Sequence, residues 1–360
     1  MRIAAVEVIP YALPFKAPYV TARGTLVRRE MVLLRLRDTE GAVGLGEAVP
    51  LSLRGGTALA EVVAELEGLR DLPELTEATI HAAPLSAPAR CAAQTALLDL
   101  RARHGLVSLL YPDTGTKRDI AGAGVVEEVT CNATLVAGAP AAVADQAVRW
   151  AEDGFSTFKL KVGPDEDLEP VRAVREAVGP EARIRLDANA SWDLETARRA
   201  LAALEPLGIE LVEQPVATLE EMATLAGETA IPLAADESVA SRAEAERAAA
   251  LGACAYTGVK LSKIGGPAEA IEIADVLPAY LSSALDGPVG IAAAAQVAVT
   301  LRETDRPERL DLAHGLATQR LFASTVAAVG CELRGDILHL PPGPGLGVEI
   351  DEDALDAHRI

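Results

Sequence analysis

At 360 residues the chain has the length of one barrel with a smaller companion domain, or of two domains. Half of it is hydrophobic while aromatics make up 3%, so Ala, Leu and Val carry the apolar mass, as suits helices packed on a parallel sheet buried on both faces. A formal net charge of −20 disfavours nucleic acid and acidic membrane surfaces, both of which need a cationic footprint.

The opening MRIAAVEVIPYALPF carries no signal-peptide pattern, and no apolar run reaches membrane-spanning length, so a cytoplasmic location is expected. Over residues 1–50, VEVIPYALPF, EMVLLRLRD and AVGLGEAVP read as a β-meander, with a turn at Thr39 to Gly41. Residues 57–110 place apolar side chains at helical spacing, in AEVVAELEGL and CAAQTALLDLRARHG. Residues 1–125 are therefore an α+β domain. From there short apolar strands alternate with Ala-rich amphipathic helices. The strands are VTCNATL, TFKLKVG, RIRLDAN, IELVEQP, IPLAADE, YTGVKLS, YLSSALD and RLDLAHG, all within 129–315. This pattern predicts a TIM-type barrel over 126–325, with a doubly wound open sheet as the alternative. The tail CELRGDILHLPPGPGLGVEIDEDAL breaks the alternation and is expected to fold back on the first domain, making 326–360 its completing segment. Cys91, Cys131, Cys254 and Cys331 form no CxxC pair and read as free thiols in a reducing compartment.

Polar residues fall at the ends of successive strands: Lys161, Asp187, Glu213, Asp236 and Lys260, separated by 26, 26, 23 and 24 residues. Each separation is one strand-helix unit, so all five reach the C-terminal face, where barrels build their sites. Three carboxylates converging there would repel one another unless a hard divalent cation resolved the charge. Magnesium suits an all-oxygen set, and the absence of His and Cys argues against zinc. Lys159 and Lys161 share a face of their strand, and two adjacent ammonium groups are expected to lower each other's proton affinity, suiting Lys161 to act as a base. Asn189 shares a face with Asp187 and is expected to support it. A cation on a substrate carboxylate and a lysine on the neighbouring carbon together make α-proton abstraction, through an enediolate, the chemistry this arrangement fits.

Lys-x-Lys in FKLKVG, Asp-x-Asn in RLDANASW, and LVEQP, AADES and VKLSKIGG occur in an order that resembles the muconate-lactonizing subgroup of the enolase superfamily, over nearly the whole chain. The resemblance implies a (β/α)7β barrel with an α+β capping domain. It implies Mg2+, replaceable by Mn2+, on Asp187, Glu213 and Asp236. It makes Lys161 the catalytic acid/base, Lys260 the opposing lysine, Lys159 the lysine that tunes Lys161, and Lys263 a structural residue.

SSALDGPVGIAAAAQVA and HGLATQRLFASTVA resemble the o-succinylbenzoate synthases of that subgroup, which dehydrate 2-succinyl-6-hydroxy-2,4-cyclohexadiene-1-carboxylate in menaquinone synthesis. On that reading Ser282, Ser283 and the helix start at Val289 face a substrate carboxylate; the alternative is that the two serines only form a turn. Dipeptide epimerases carry Asp-x-Asp after the eighth strand, where this chain has Asp311-Leu-Ala313. Dipeptide epimerase or N-succinylamino acid racemase activity is the rival within the subgroup, followed by muconate-type cycloisomerisation. A non-catalytic, ligand-binding barrel is the rival from another class. Arg23 and Arg54, in capping loops 15–30 and 47–56, are available to meet a remote carboxylate, although each fits a solvated surface arginine as well. The expected partner is a small carboxylate substrate. Many relatives form homo-oligomers through barrel surfaces, and no patch in this sequence decides whether the chain does.

Overall fold

Strict alternation along the second N-terminal strand sends Met31 and Leu33 to one face and Val32, Leu34 and Leu36 to the other, and every one of them is buried. In the computed structural model, which describes residues 2–21, 24–50, 56–72, 74–105, 128–164, 167–302 and 312–360, the reason is a sheet covered on both sides. Strands β1 (Ile3–Thr21), β2 (Gly24–Asp38) and β3 (Val43–Ala48) form an antiparallel sheet in that order. Helices α1 (Leu59–Glu67), α2 (Glu77–Ala82) and α3 (Ala87–Arg103) cover one face, in a core with Val32, Leu34 and Leu36. The other face, with Met31 and Leu33, joins the large core of the barrel. Close approach of α3 needs glycine on β3: a Cβ at Gly44 would lie 2.1 Å from Ala96 O, and one at Gly46 would lie 1.9 Å from Ala92 O.

The barrel elements follow in alternation. After β4 (Glu128–Thr130) come β5 (Ala133–Leu135), α4 (Pro140–Glu152), β6 (Thr157–Lys161), α5 (Glu169–Val178), β7 (Arg183–Asp187) and α6 (Leu194–Leu204). Then come β8 (Ile209–Glu213), α7 (Leu219–Ala226), β9 (Leu233–Ala235), α8 (Arg242–Leu251), β10 (Tyr256–Val259), α9 (Leu261–Ile264), α10 (Pro267–Ala274), β11 (Ala279–Leu281) and α11 (Pro288–Arg302). Strands β5 to β11 form one parallel sheet in sequence order. Residues 314–315 close it: Gly315 bridges Ser282 beyond β11, and His314 bridges Cys131 before β5. A TIM-type barrel, not an open doubly wound sheet, is the fold. Leu211, Ala234, Tyr280 and Leu312 form a small core of their own inside it.

The tail consists of β12 (Ala327–Val329), β13 (Glu332–Arg334), β14 (Ile337–His339), β15 (Glu349–Ile350) and α12 (Glu352–His358). Its end meets the capping sheet, with a bridge from Arg359 to Tyr11 and a hydrogen bond from Ile360 N–H to Pro10 O. Leu346 N–H donates to Asp99 of α3 at 2.7 Å. Its middle goes elsewhere: β14 pairs with β4, at the entrance to the barrel segment. The sequence boundary at 125/126 lies outside the described residues. Among the described residues no helix is long and apolar enough to cross a membrane. All four cysteines are free, two buried and two partly buried.

Candidate active site

Strand register sets the site. Lys161 pairs with Asp187, and Asp187 with Glu213, so these three strand ends stand at one level. Glu213 pairs with Ala234, which places Asp236 two residues further along its strand. Lys260 follows the last residue of β10. The strands carrying Lys161 and Lys260 flank the three carboxylate strands. As second and sixth of eight, they lie on opposite sides of the lumen.

The three carboxylates are buried, at 3% exposure or less, and the lysines engage them. Lys159 Nζ lies 2.5 Å from Glu213 Oε2 and 3.1 Å from Asp187 Oδ2. Lys260 Nζ contacts Asp236 Oδ2 and stands 3.8 Å from Glu213 Oε1. Lys263 Nζ bonds the backbone carbonyl of Asp236, its Oδ1 and Val239 O. Lys161 is partly buried and donates to Asn189 Oδ1 at 2.6 Å. Asn189 is in turn held by Glu237, whose Oε1 accepts from Asn189 Nδ2, and by its own N–H on Asp187 Oδ1.

Burial would lower the Lys159 ammonium, but Asp187, Glu213 and Asp236 raise it well above the lysine range, so its proton is held tightly. Burial raises Glu213, against the opposing pull of Lys159. For Asp187 burial acts upward too, yet Lys159, Lys161 and Lys260 outweigh it and hold the carboxyl below its usual value.

Among the described residues no three acidic, His or Cys side chains already stand as a preformed cluster for an ion. The donors nonetheless fit a hard divalent cation. They are carboxylate oxygens alone, neutralised here by ammonium groups, and Glu213 Oε1 is buried without a hydrogen-bond partner. Asp187, Glu213 and Asp236 would hold it.

Sequence reading missed several contributors. Gln214 follows Glu213 with φ +40°, and its Oε1 accepts from the backbone of Asp236 and Ser238 and from the Ser238 hydroxyl. Asn189 and Ala190 also adopt positive φ, so two of the carboxylate strands leave the barrel through left-handed residues. The motif LVEQP carried a signal for Gln214. Nothing in YLSSALD separated Tyr280 from core, yet its hydroxyl donates to Glu213 Oε2 at 2.6 Å.

Ser283 and the start of α11 have hydrogen-bond partners within the chain. Ser283 Oγ donates to Asp286 Oδ2 at 2.7 Å and accepts from Asp286 N–H at 2.8 Å, so that hydroxyl is used by the turn. Ser282 is buried against Gly315. The start of α11 already faces an anion of this chain: Gly287 N–H donates to Glu47 Oε1 at 2.6 Å, while Tyr11 donates to Glu47 Oε2 at 2.8 Å. Arg29 reaches the carbonyls of Pro50 and Ala284, joining the same two regions. Arg23 and Arg54 lie outside the described residues.

Glu47 carries a pH prediction. Burial and the nearby Asp286 push its carboxyl up from 4.5 to about 7, against the lowering hydrogen bonds from Tyr11, Gly287 and Gly290. A raised acid favours the fold at low pH. Its contribution is complete below about 4.5 and is lost as pH rises through about 7, because the unfolded chain releases the proton first. Glu47→Gln should therefore gain stability relative to wild type across that window, by at most roughly 3 kcal/mol. Thermal unfolding of both proteins against pH checks it; parallel curves would exclude the effect.

Comparison with known proteins covers the whole chain. Residues 3–110 match the model of the mandelate racemase / muconate lactonizing enzyme N-terminal domain, and residues 142–354 match the enolase C-terminal domain-like model. A chloromuconate cycloisomerase from Pseudomonas sp. (strain P51) is 30% identical, over 99% of this chain and 98% of its own length. An o-succinylbenzoate synthase from Thermobifida fusca is 37% identical, over 57% of this chain and 64% of its own. The crystal structure of a dipeptide epimerase from Enterococcus faecalis V583, complexed with Mg and the dipeptide L-Leu-L-Tyr, superposes with a TM-score of 0.84. The two are 26% identical, and the match covers 97% of this chain and 100% of that one.

Proposed function

This chain belongs to the mandelate racemase / muconate lactonizing enzyme family of the enolase superfamily, and from that premise we propose that it abstracts the α-proton of a small carboxylate with Lys161 and completes a dehydration. The family's enzymes abstract protons with the help of magnesium, and the relatives of this chain include cycloisomerases, epimerases and an o-succinylbenzoate synthase.

The observation that carries the proposal is the pair of lysines on opposite sides of three buried carboxylates. A divalent cation on Asp187, Glu213 and Asp236 would supply positive charge for a substrate carboxylate and for the charge developing on its oxygens. Lys161 takes the proton. Its Nζ is aimed by Asn189 and stands at the level of Asp187 and Glu213. Lys260, 9% exposed and across the lumen, meets the developing negative charge from the other side. Dehydration then needs one proton returned to a leaving hydroxyl on the face that Lys161 already serves.

We assign the substrate as 2-succinyl-6-hydroxy-2,4-cyclohexadiene-1-carboxylate and the activity as o-succinylbenzoate synthase-like, on two supports. The synthase relative has a higher identity, 37%, than the full-length isomerases compared. Ala313 stands where an epimerase would carry the second carboxylate that holds a dipeptide ammonium. A second reading, epimerisation or racemisation, is favoured by the opposed lysines, which could serve both faces of one carbon, and by relatives such as the hydrophobic dipeptide epimerase that match over 97% of the chain.

The comparison that separates them is kcat/KM for the cyclohexadiene substrate against a dipeptide panel in deuterated water. Dehydration to o-succinylbenzoate is expected, with weak exchange or inversion of dipeptides. A dipeptide preferred by about a hundredfold would exclude the dehydratase assignment.

A further inference from the structure

Inside the barrel lies a side chain that composition alone files under core. Tyr280 is 1% exposed, and its phenol crosses the lumen to Glu213. Three features hold it there. Gly258 is its register partner on β10 and offers no side chain; a Cβ at 258 would stand 3.0 Å from the phenol oxygen and 3.2 Å from Cζ. The Arg185 guanidinium lies 5.3 Å from the centre of the ring, and is itself anchored on Glu210 and on the carbonyl of Ala313. Leu211, Ala234 and Leu312 pack around the ring.

The consequence falls on Glu213. Its Oε2 accepts from two donors, Tyr280 at 2.6 Å and Lys159 at 2.5 Å. Its Oε1 is also buried, has no hydrogen-bond partner among the described residues, and lies 3.8 Å from the Lys260 ammonium. Two donors on Oε2 hold the carboxylate in this orientation and leave Oε1 as the acceptor without a hydrogen bond. Lys159 reaches Asp187 as well as Glu213, so the phenol is the donor devoted to Glu213.

We propose that Tyr280 is a positioning residue that locks Glu213 with Oε1 presented to a divalent cation, and that Gly258 is the notch that admits the phenol. This rests on the reading of Asp187, Glu213 and Asp236 as cation ligands. Removing a hydrogen bond that orients a metal ligand weakens metal binding by about 10–100-fold in general.

The test is Mn2+ binding to the full-length protein, followed by the electron paramagnetic resonance signal of free Mn2+, with thermal unfolding run alongside. Tyr280→Phe keeps the ring and loses the hydroxyl, and should raise the Mn2+ dissociation constant about tenfold or more. Gly258→Ala should do the same by displacing the phenol. The double variant should be no weaker than the weaker single, because both changes break one hydrogen bond. A Tyr280→Phe protein that binds Mn2+ within about twofold of wild type, whatever its melting temperature, overturns the role of Tyr280 and leaves the cation site standing. Additive losses in the double variant overturn the pairing with Gly258. No saturable Mn2+ binding by the wild-type protein overturns the cation reading and this proposal with it.

Discussion

Lys161→Ala is expected to abolish detectable exchange of the substrate α-hydrogen with solvent. Lys161 ends β6 at the level of Asp187 and Glu213, and its ammonium is aimed by the Asn189 side-chain oxygen at 2.6 Å. The other lysines of the site are bound elsewhere: Lys159 between two carboxylates, Lys260 on Asp236, Lys263 on the Asp236 and Val239 backbone. Lys260 stands across the lumen and does not serve the face that Lys161 serves. Loss of a general base costs about 10²–10⁴ in rate, and more where the same group also returns the proton. Lys161→Arg sharpens the test, because arginine keeps the charge but does not give up its proton near neutral pH. Both variants should fold, bind Mn2+ and fail to incorporate deuterium, as followed by NMR in deuterated water. Near-normal exchange by either would remove Lys161 from the mechanism.

Glu213→Gln is expected to be as severe, by a different route. The side chain is 1% exposed and sits between Asp187 and Asp236. The amide keeps the shape and loses the charge, so a divalent cation would face two carboxylates in place of three. Cation assistance is worth several kcal/mol of transition-state stabilisation, which corresponds to a rate loss on the order of 10³-fold or greater. The fold should survive, since Lys159 keeps its partner Asp187 at 3.1 Å. Excess chelator should silence the wild-type enzyme to the same degree, and Mg2+ or Mn2+ should restore it. Full wild-type turnover in excess chelator would refute the assignment of all three carboxylates. Comparing the two variants separates the roles: Lys161→Ala keeps metal affinity and loses chemistry, whereas Glu213→Gln loses both.

The amino-acid sequence by itself determined the barrel and its chemistry. Repeated spacing of strand-end polar residues marks a parallel sheet whose C-terminal ends converge, because one strand-helix unit returns the chain to the same end of the next strand. That is why Lys161, Asp187, Glu213, Asp236 and Lys260 could be assigned to one face, and why the capping meander was legible from period-two alternation. Other features depend on which side chains meet across the lumen, and no local pattern encodes that. Tyr280 and Gly258 are 22 residues apart in sequence and become neighbours only through parallel register. Glu47 reaches the start of α11 across 240 residues, where it accepts from Gly287 N–H. Ser283 is held in a turn with Asp286, and the carboxylates that raise Lys159 stand on other strands. Periodicity fixes what lies along a strand; which partners meet, and therefore where charge and hydrogen bonds go, is decided only when the sheet closes.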